Sequence, residues 1–374
     1  MTMEKNINRR DFLQNSTLLS GGLLLGSMGL FSFTGTGNEK LNNHPISYSD
    51  KKKRKVGSLK VSAIGLGCMS MAGVYNPRQD KAEMVKLIRN AYDNGVDFFD
   101  TAEVYGPFFS EEIVGEALKP FRNKVSIASK FGFDFNGNSV IGRNSQPQHI
   151  KQAVEGMLKR LQTDTIDLLY LHRMDPNVQI EEIAETVKDL IKEGKARNFG
   201  LSEVSPETIR KADAIQPVAA LQSEYSMMER VMEHDILPLC EELDIAFVPW
   251  GPVCRGMLTG RFDENYIPET EYRRAGVPYF TTEALKANLK VTELAKEWAV
   301  KKNATPAQIA LAWLVAQKPF IVPIPGTTNV NHLTENNGSL NVSFSNAELK
   351  EIRTSLEAIP TIGFREKKSV FENL

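Results

Sequence analysis

From about Val56 onward, short β-branched runs alternate with amphipathic stretches, and this alternation restricts the fold more than any other feature of the chain. Strand-like runs fall at 63–66, 96–99, 125–128, 166–171, 196–200, 219–222, 245–249 and 320–323. Helical patterns lie between them, such as 81–94, where Met84, Leu87, Ile88 and Ala91 share one face, and 180–193. Eight strand-then-helix units predict a closed parallel α/β barrel, (β/α)8, rather than an open doubly wound sheet. The predicted barrel domain spans 55–374. The segment 55–62, with Gly57-Ser58 at its turn, predicts a short hairpin ahead of the first barrel strand, and a long insertion at 260–281 follows the seventh. Gly65-Leu66-Gly67 begins like a dinucleotide-binding fingerprint, but Ser70 stands where the third glycine belongs and no helix opens there. Gly67 is better read as a point of close backbone approach at the barrel mouth.

Composition excludes several classes. The 374 residues carry 45 Lys+Arg against 46 Asp+Glu, a net charge of −1, so no basic excess points to nucleic acid. With 41% hydrophobic and 24% charged residues the chain is of globular type. Cys68, Cys240 and Cys254 are odd in number and far apart, which argues against a disulfide framework or a four-ligand zinc site. The histidines make no H-x-x-x-H pairing, and no metal is expected.

Residues 1–37 read as an address. Arg9-Arg10 precede an uncharged stretch at 18–33 rich in Leu, Gly and Ser, the arrangement of a signal peptide of twin-arginine type. The stretch is short for a spanning helix, which needs roughly 20 apolar residues. Residues 38–54, polar and then basic, are predicted to be a solvated linker. This reading places the protein in the periplasm, or otherwise outside the cytoplasm, with the export machinery as a partner of the N-terminus; without it the protein is cytoplasmic.

In a barrel of this kind, chemistry belongs at the C-terminal strand ends. Asp100 ends Phe98-Phe99-Asp100, Tyr105 follows five residues on, Lys130 ends Ile127-Ala128-Ser129-Lys130, and His172 ends Leu169-Tyr170-Leu171-His172. Each charge follows an apolar run, where it is expensive unless paired. Asp100 and Lys130 on neighbouring strands predict an ion pair across the mouth. Any one of the four alone is better read as structural; four at successive strand ends point to a site.

The runs Gly65-Leu66-Gly67-Cys68-Met69, Asp97 through Gly106, Ala128-Ser129-Lys130-Phe131-Gly132, Leu171-His172-Arg173-Met174-Asp175-Pro176, Gly200-Leu201-Ser202-Glu203-Val204, Leu221 through Ser226 and Val322 through Thr327 resemble the aldo-keto reductase superfamily, in order and over 55–341. The resemblance implies that Asp100, Tyr105, Lys130 and His172 are a catalytic tetrad acting on a carbonyl or alcohol. Carbonyl reduction creates an alkoxide that needs a proton, and tyrosine, with its ordinary pKa of about 10, is a reluctant acid. A nearby lysine eases tyrosinate formation, a carboxylate holds that lysine, and His172 orients the carbonyl. The hydride has to come from a nicotinamide. The resemblance places the carboxamide against Ser202, Glu203 and Gln222, the ring against Trp250, and the pyrophosphate under Gly251, Val253, Arg255 and Gly256. It assigns Gly326, Thr327, Thr328, Asn329 and His332 to the phosphates and Glu335 and Asn336 to the adenine end. NADP(H) is the family's usual cofactor, yet 326–340 contains no Lys or Arg to meet a 2′-phosphate, which keeps NAD(H) as an alternative. The substrate is a small carbonyl or alcohol, a sugar among the candidates, and the protein a monomer or small homo-oligomer. Two other functions fit the same sequence: a nucleotide-binding redox-sensing or interaction subunit with slow turnover, and a sugar-active enzyme that recycles a tightly bound cofactor.

Overall fold

The computed structural model describes residues 53–73, 77–267 and 276–365. All lie in one unit, Ile46–Leu374; the twin-arginine-type segment 1–37 and the linker as far as residue 52 are outside the described residues.

The chain first forms an antiparallel hairpin of β1 (Lys53–Val56) and β2 (Leu59–Ser62). Gly57 turns it at φ +56°, packed so closely on Asn198 and Ala219 that a Cβ would collide with both. Strand alternation turns every second residue inward, so Val56 and Val61 are buried. Arg54 is turned inward too. Its guanidinium donates to the backbone oxygens of Val315, Lys318 and Ile321 at 2.5–2.6 Å. The basic run is therefore not wholly solvated, as the sequence predicted, because its end is drawn into a strand.

The barrel wall begins with β3 (Leu66–Gly67), β4 (Phe98–Asp100) and β5 (Ser126–Phe131). A second hairpin, β6 (Phe133–Asn136) and β7 (Ser139–Arg143), rises from the end of β5. The wall continues through β8 (Leu168–Leu171), β9 (Phe199–Ser202), β10 (Val218–Glu224) and β11 (Ala246–Trp250). These strands pair in parallel in the order β3-β4-β5-β8-β9-β10-β11. The stretch 321–326 closes the ring through parallel bridges Phe247–Ile321 and Gly67–Gly326. Toward β11, Val322 N donates to Phe247 O (2.8 Å) and Ile324 N to Pro249 O (3.2 Å). Toward β3, Pro323 and Pro325 can only accept, from Gly65 N (2.9 Å) and Gly67 N (3.3 Å), because proline has no N–H to give back. This half-ladder is why the eighth strand is irregular.

Apart from β10, which starts one residue early, the wall strands start one to three residues later than the apolar runs suggest. Their lead-in residues are buried but barely laddered, as with Ile166 and Ala196, which meet in a single bridge. Inside the ring, Phe98, Ala128, Leu168, Tyr170, Ala220, Val248 and Val322 pack with Val56 and Val61 of the hairpin. The hairpin thus plugs the end where the strands begin and leaves the other end for a site.

The outer layer comprises α1 (Lys81–Asp93), α2 (Phe109–Leu118), α3 (Pro147–Leu161), α4 (Ile180–Lys192), α5 (Pro206–Asp213), α6 (Ile236–Glu242), α7 (Thr282–Lys302), α8 (Pro306–Gln317), α9 (Val330–Gly338) and α10 (Asn346–Ala358). In α1 the predicted apolar face, Met84, Leu87, Ile88 and Ala91, is buried, and Asp80 caps the first turn by accepting from Glu83 N. Of the insertion, the part before residue 268 and the 3-10 turn Pro278–Phe280 are described, and the latter leads into α7.

Candidate active site at the mouth of the barrel

Strand register brings the four predicted residues together. Asp100 ends β4 opposite Ala128 of β5, which places Lys130 one pleat further along the same face. His172 follows β8 directly and is fixed by its own N–H on Phe131 O (2.8 Å). Tyr105 rides on the loop between β4 and α2, held by Glu103 N on Lys130 O (3.3 Å) and Ser110 N on Tyr105 O (3.1 Å). Gly106, at φ +84°, lets this loop pass within van der Waals contact of Ala72, where a Cβ would not fit.

The Lys130 ammonium, fully buried, is the hub. It donates to Asp100 Oδ1, to Thr101 O (2.8 Å) and to the Tyr105 hydroxyl (3.3 Å). Asp100 Oδ2 accepts from Gln222 Nε2 (2.8 Å), which ties β10 to β4 across the barrel. The His172 ring stands edge-on to Tyr105 at 5.7 Å and to Phe133 at 5.2 Å. Burial alone would strip the proton from Lys130, but Asp100 and Tyr105 outweigh it and hold the lysine above its ordinary value. Burial pushes Tyr105 up, with the Lys130 ammonium pulling the other way. The net direction is opposite to the simple expectation that lysine lowers it: at neutral pH this tyrosine keeps its proton.

The residues predicted for a dinucleotide line one side of the same mouth. Ser202 ends β9 opposite Gln222 in the β9–β10 register, and Trp250 ends β11 opposite Glu224. Glu203 follows at φ +54° and accepts from Glu224 N (2.9 Å) and from Trp250 Nε1 (2.8 Å). After Gly251 (φ +62°) and Val253 come three consecutive left-handed residues, Cys254, Arg255 and Gly256. Only the last is glycine, so the turn at Cys254 and Arg255 is a strained one imposed by the surrounding fold. Arg255, predicted to reach a pyrophosphate, is here paired with buried Glu224 (2.8 and 3.3 Å) and lies 5.3 Å over the Trp250 ring. Burial pushes the Glu224 carboxyl up to about 8, against the pull of Arg255.

Across the mouth, Gly326 faces Gly67; a Cβ on Gly67 would stand 2.8 Å from Ile324 O, and one on Gly326 would stand 3.0 Å from Gly67 O. Thr327 Oγ1 accepts from Asn329 N (3.0 Å), Thr328 is half-buried, and Asn329 caps α9. His332 is exposed on α9, Glu335 is half-buried and Asn336 buried. The Ser70 hydroxyl, buried beside Gly326, has no hydrogen-bond partner. An orphaned hydroxyl beside a glycine and a helix N-terminus fits a phosphate-bearing ligand.

Sequence reasoning missed three participants. Arg173 donates to His172 O (2.7 Å) and Ser202 Oγ (3.1 Å), joining the tetrad to the predicted cofactor residues. Glu224, a carboxylate at the end of a wholly buried strand, signalled by position that it needed a cation. Arg365 makes a bidentate pair with Glu203 (2.7 and 2.6 Å), and nothing in the tail's sequence marks it. Among the described residues no His, Cys, Asp and Glu cluster could hold a metal.

Comparison with known proteins identifies the family. Residues 63–357 match the aldo/keto reductase family, and the chain belongs to it. It is an oxidoreductase of that family. A soybean (Glycine max) protein named "Probable aldo-keto reductase 1" is 42% identical over 301 residues, 80% of this chain and 86% of that one. The solved glycerol dehydrogenase of Gluconobacter oxydans superposes with a TM-score of 0.77 at 29% identity, covering 83% of this chain and 96% of its own. An aldo/keto reductase of Klebsiella pneumoniae, solved with NADP and acetate, gives 0.63 at 26%, covering 85% and 99%.

Proposed function

We propose that the protein interconverts a small aldehyde or ketone and the corresponding alcohol with a nicotinamide dinucleotide, Tyr105 giving and taking the proton. The observation that carries this reading is the buried Lys130 ammonium, which touches both the Asp100 carboxylate and the Tyr105 hydroxyl. Ser202, Glu203, Gln222 and Trp250 would hold a nicotinamide, which would supply the hydride. Tyr105 then protonates the developing alkoxide, and Lys130 stabilises the tyrosinate left behind at 3.3 Å. Asp100 keeps Lys130 charged and aimed, and Gln222 keeps Asp100 in place. His172, edge-on to Tyr105, is placed to orient the carbonyl oxygen.

The test is Tyr105→Phe, assayed with NADPH or NADH and simple aldehydes. General acid catalysis contributes about 10²–10⁴-fold, so kcat should fall by that order while nucleotide binding, followed by fluorescence titration, stays close to the parent. A variant that keeps most of its kcat would remove Tyr105 from the proton-donor role. The binding of NADP by the Klebsiella pneumoniae relative supports a phosphorylated nicotinamide cofactor, whereas the absence of Lys and Arg from 326–340 supports weak discrimination against NAD(H). The paired arginines Arg9-Arg10 before an uncharged stretch support export of the protein in its folded state.

A further inference from the structure

After α10 the chain returns over the barrel instead of leaving it. Asn288 of α7, fully buried, grips the returning segment from both sides: its Nδ2 donates to Ile362 O (2.9 Å) and its Oδ1 accepts from Ile362 N (2.9 Å). The same Nδ2 also donates to Tyr279 O (3.2 Å), and Tyr279 N donates to Phe364 O (3.3 Å). Gly363 between them sits at φ +88° with Pro278 O so near that a Cβ would stand 2.5 Å from it, which leaves room for glycine only. These contacts fix the path of residues 362–364 and deliver Arg365, 8% exposed, to Glu203.

Both oxygens of the Glu203 carboxylate are then engaged. Oε1 accepts from Glu224 N, Trp250 Nε1 and Arg365 Nη1, and Oε2 from Arg365 Nη2. Burial would push this carboxyl up, but the Arg365 fork holds it below the usual carboxylate range. Glu203 in turn fixes the plane of the Trp250 indole. One arginine from the tail thus sets a carboxylate and, through it, an aromatic face, both beside Ser202 and Gln222.

We propose that Arg365 is a positioning residue for the nicotinamide half of the cofactor: the tail strap brings it to Glu203, and the pair aims Glu203 and Trp250 at the bound nucleotide and slows its release. The inference rests on the proposed function. It requires that strap and nucleotide be coupled, so that freeing one loosens the other.

The experiment uses the full chain and measures NADPH release by stopped-flow, following energy transfer from tryptophan to the nicotinamide as excess NADP⁺ displaces it, with NADH in parallel. Arg365→Ala is expected to release nucleotide at least tenfold faster. Arg365→Lys, which keeps the charge but loses the fork, should fall between Ala and the parent. Glu203→Gln should act like Arg365→Ala, and the double variant should be no faster than either single one, because both remove the same pair. Should Arg365→Ala fail to fold by circular dichroism, the Lys and Gln variants carry the comparison. Release within twofold of the parent in the folded variants, or additive effects in the double, overturns the coupling while leaving the proposed function intact. A parent that binds neither NADPH nor NADH overturns both.

Discussion

Glu103 shows how a single residue in the site loop shapes the protein's response to pH. Its buried carboxyl accepts from Gly132 N (3.0 Å) and Phe133 N (3.2 Å), and so steadies the turn that carries Phe133 against His172. Burial pushes it up to about 8 from an ordinary 4.5, only partly offset by the backbone N–H groups and Arg160 and reinforced by Glu111. A carboxyl that keeps its proton longer in the folded state adds stability that is whole below about pH 4.5 and is lost as pH climbs through 8. A glutamine there can still accept from both N–H groups and does not ionise. Glu103→Gln should therefore lose less stability than the parent between pH 5 and pH 8, measured as the change in Tm. Parallel Tm-versus-pH curves for the two proteins would show that Glu103 is ionised throughout that window.

The elements that matter most for the site are those that close the barrel without being regular. The N-terminal hairpin is anchored through Arg54, whose three carbonyl partners flank the start of the closing stretch 321–326. Replacing it by Leu keeps the apolar stem but leaves buried carbonyls unmet. Hydrogen bonds to a charged donor contribute about 1.5–3 kcal/mol each when partners are left unsatisfied, and relaxation recovers part of that, so Arg54→Leu should cost about 3 kcal/mol in urea unfolding. A loss below about 0.5 kcal/mol would mean that water replaces the guanidinium at this end of the barrel. The hairpin of β6 and β7 carries a two-residue turn signal, Gly137-Asn138, between Phe-Asp-Phe-Asn and Ser-Val-Ile, with Gly137 at φ +58°. Its apolar tip, Val140 and Ile141, is exposed, so no buried face set it apart from loop.

At the scale of the whole molecule, the proposals for cofactor choice and for export both rest on charge distribution along the chain. A 2′-phosphate meeting 326–340 finds no lysine or arginine, and Asn329 and His332, both exposed, stand at the start of α9. A charge-assisted bond is worth about 1.5–3 kcal/mol, which amounts to roughly tenfold or more in affinity. Asn329→Lys with His332→Arg should therefore tighten NADPH at least tenfold and change NADH little, in paired titrations; equal gains for both nucleotides would place the phosphate elsewhere. Export is read from Arg9 and Arg10: changing both to lysine should retain the protein in the cytoplasm, as fractionation would show, and unchanged secretion would refute the twin-arginine reading.

The sequence by itself determined the barrel and the strand ends at which Asp100, Lys130 and His172 gather. Apolar runs of strand length, each ending in a polar or charged residue, can satisfy Asp100, Lys130 and His172 only by bringing neighbouring strand ends together, and parallel register does the rest. That argument is local, and local patterns survive in one dimension. What only the tertiary structure decided are pairings between positions far apart in the chain: Arg54 with the carbonyls of 315–321, Arg255 turned to Glu224 instead of outward, and Arg365 reaching Glu203 from 162 residues away. Such partners are chosen by where a closed ring and its returning tail place them, and a charge on an otherwise unremarkable segment does not reveal which buried carboxylate it will meet.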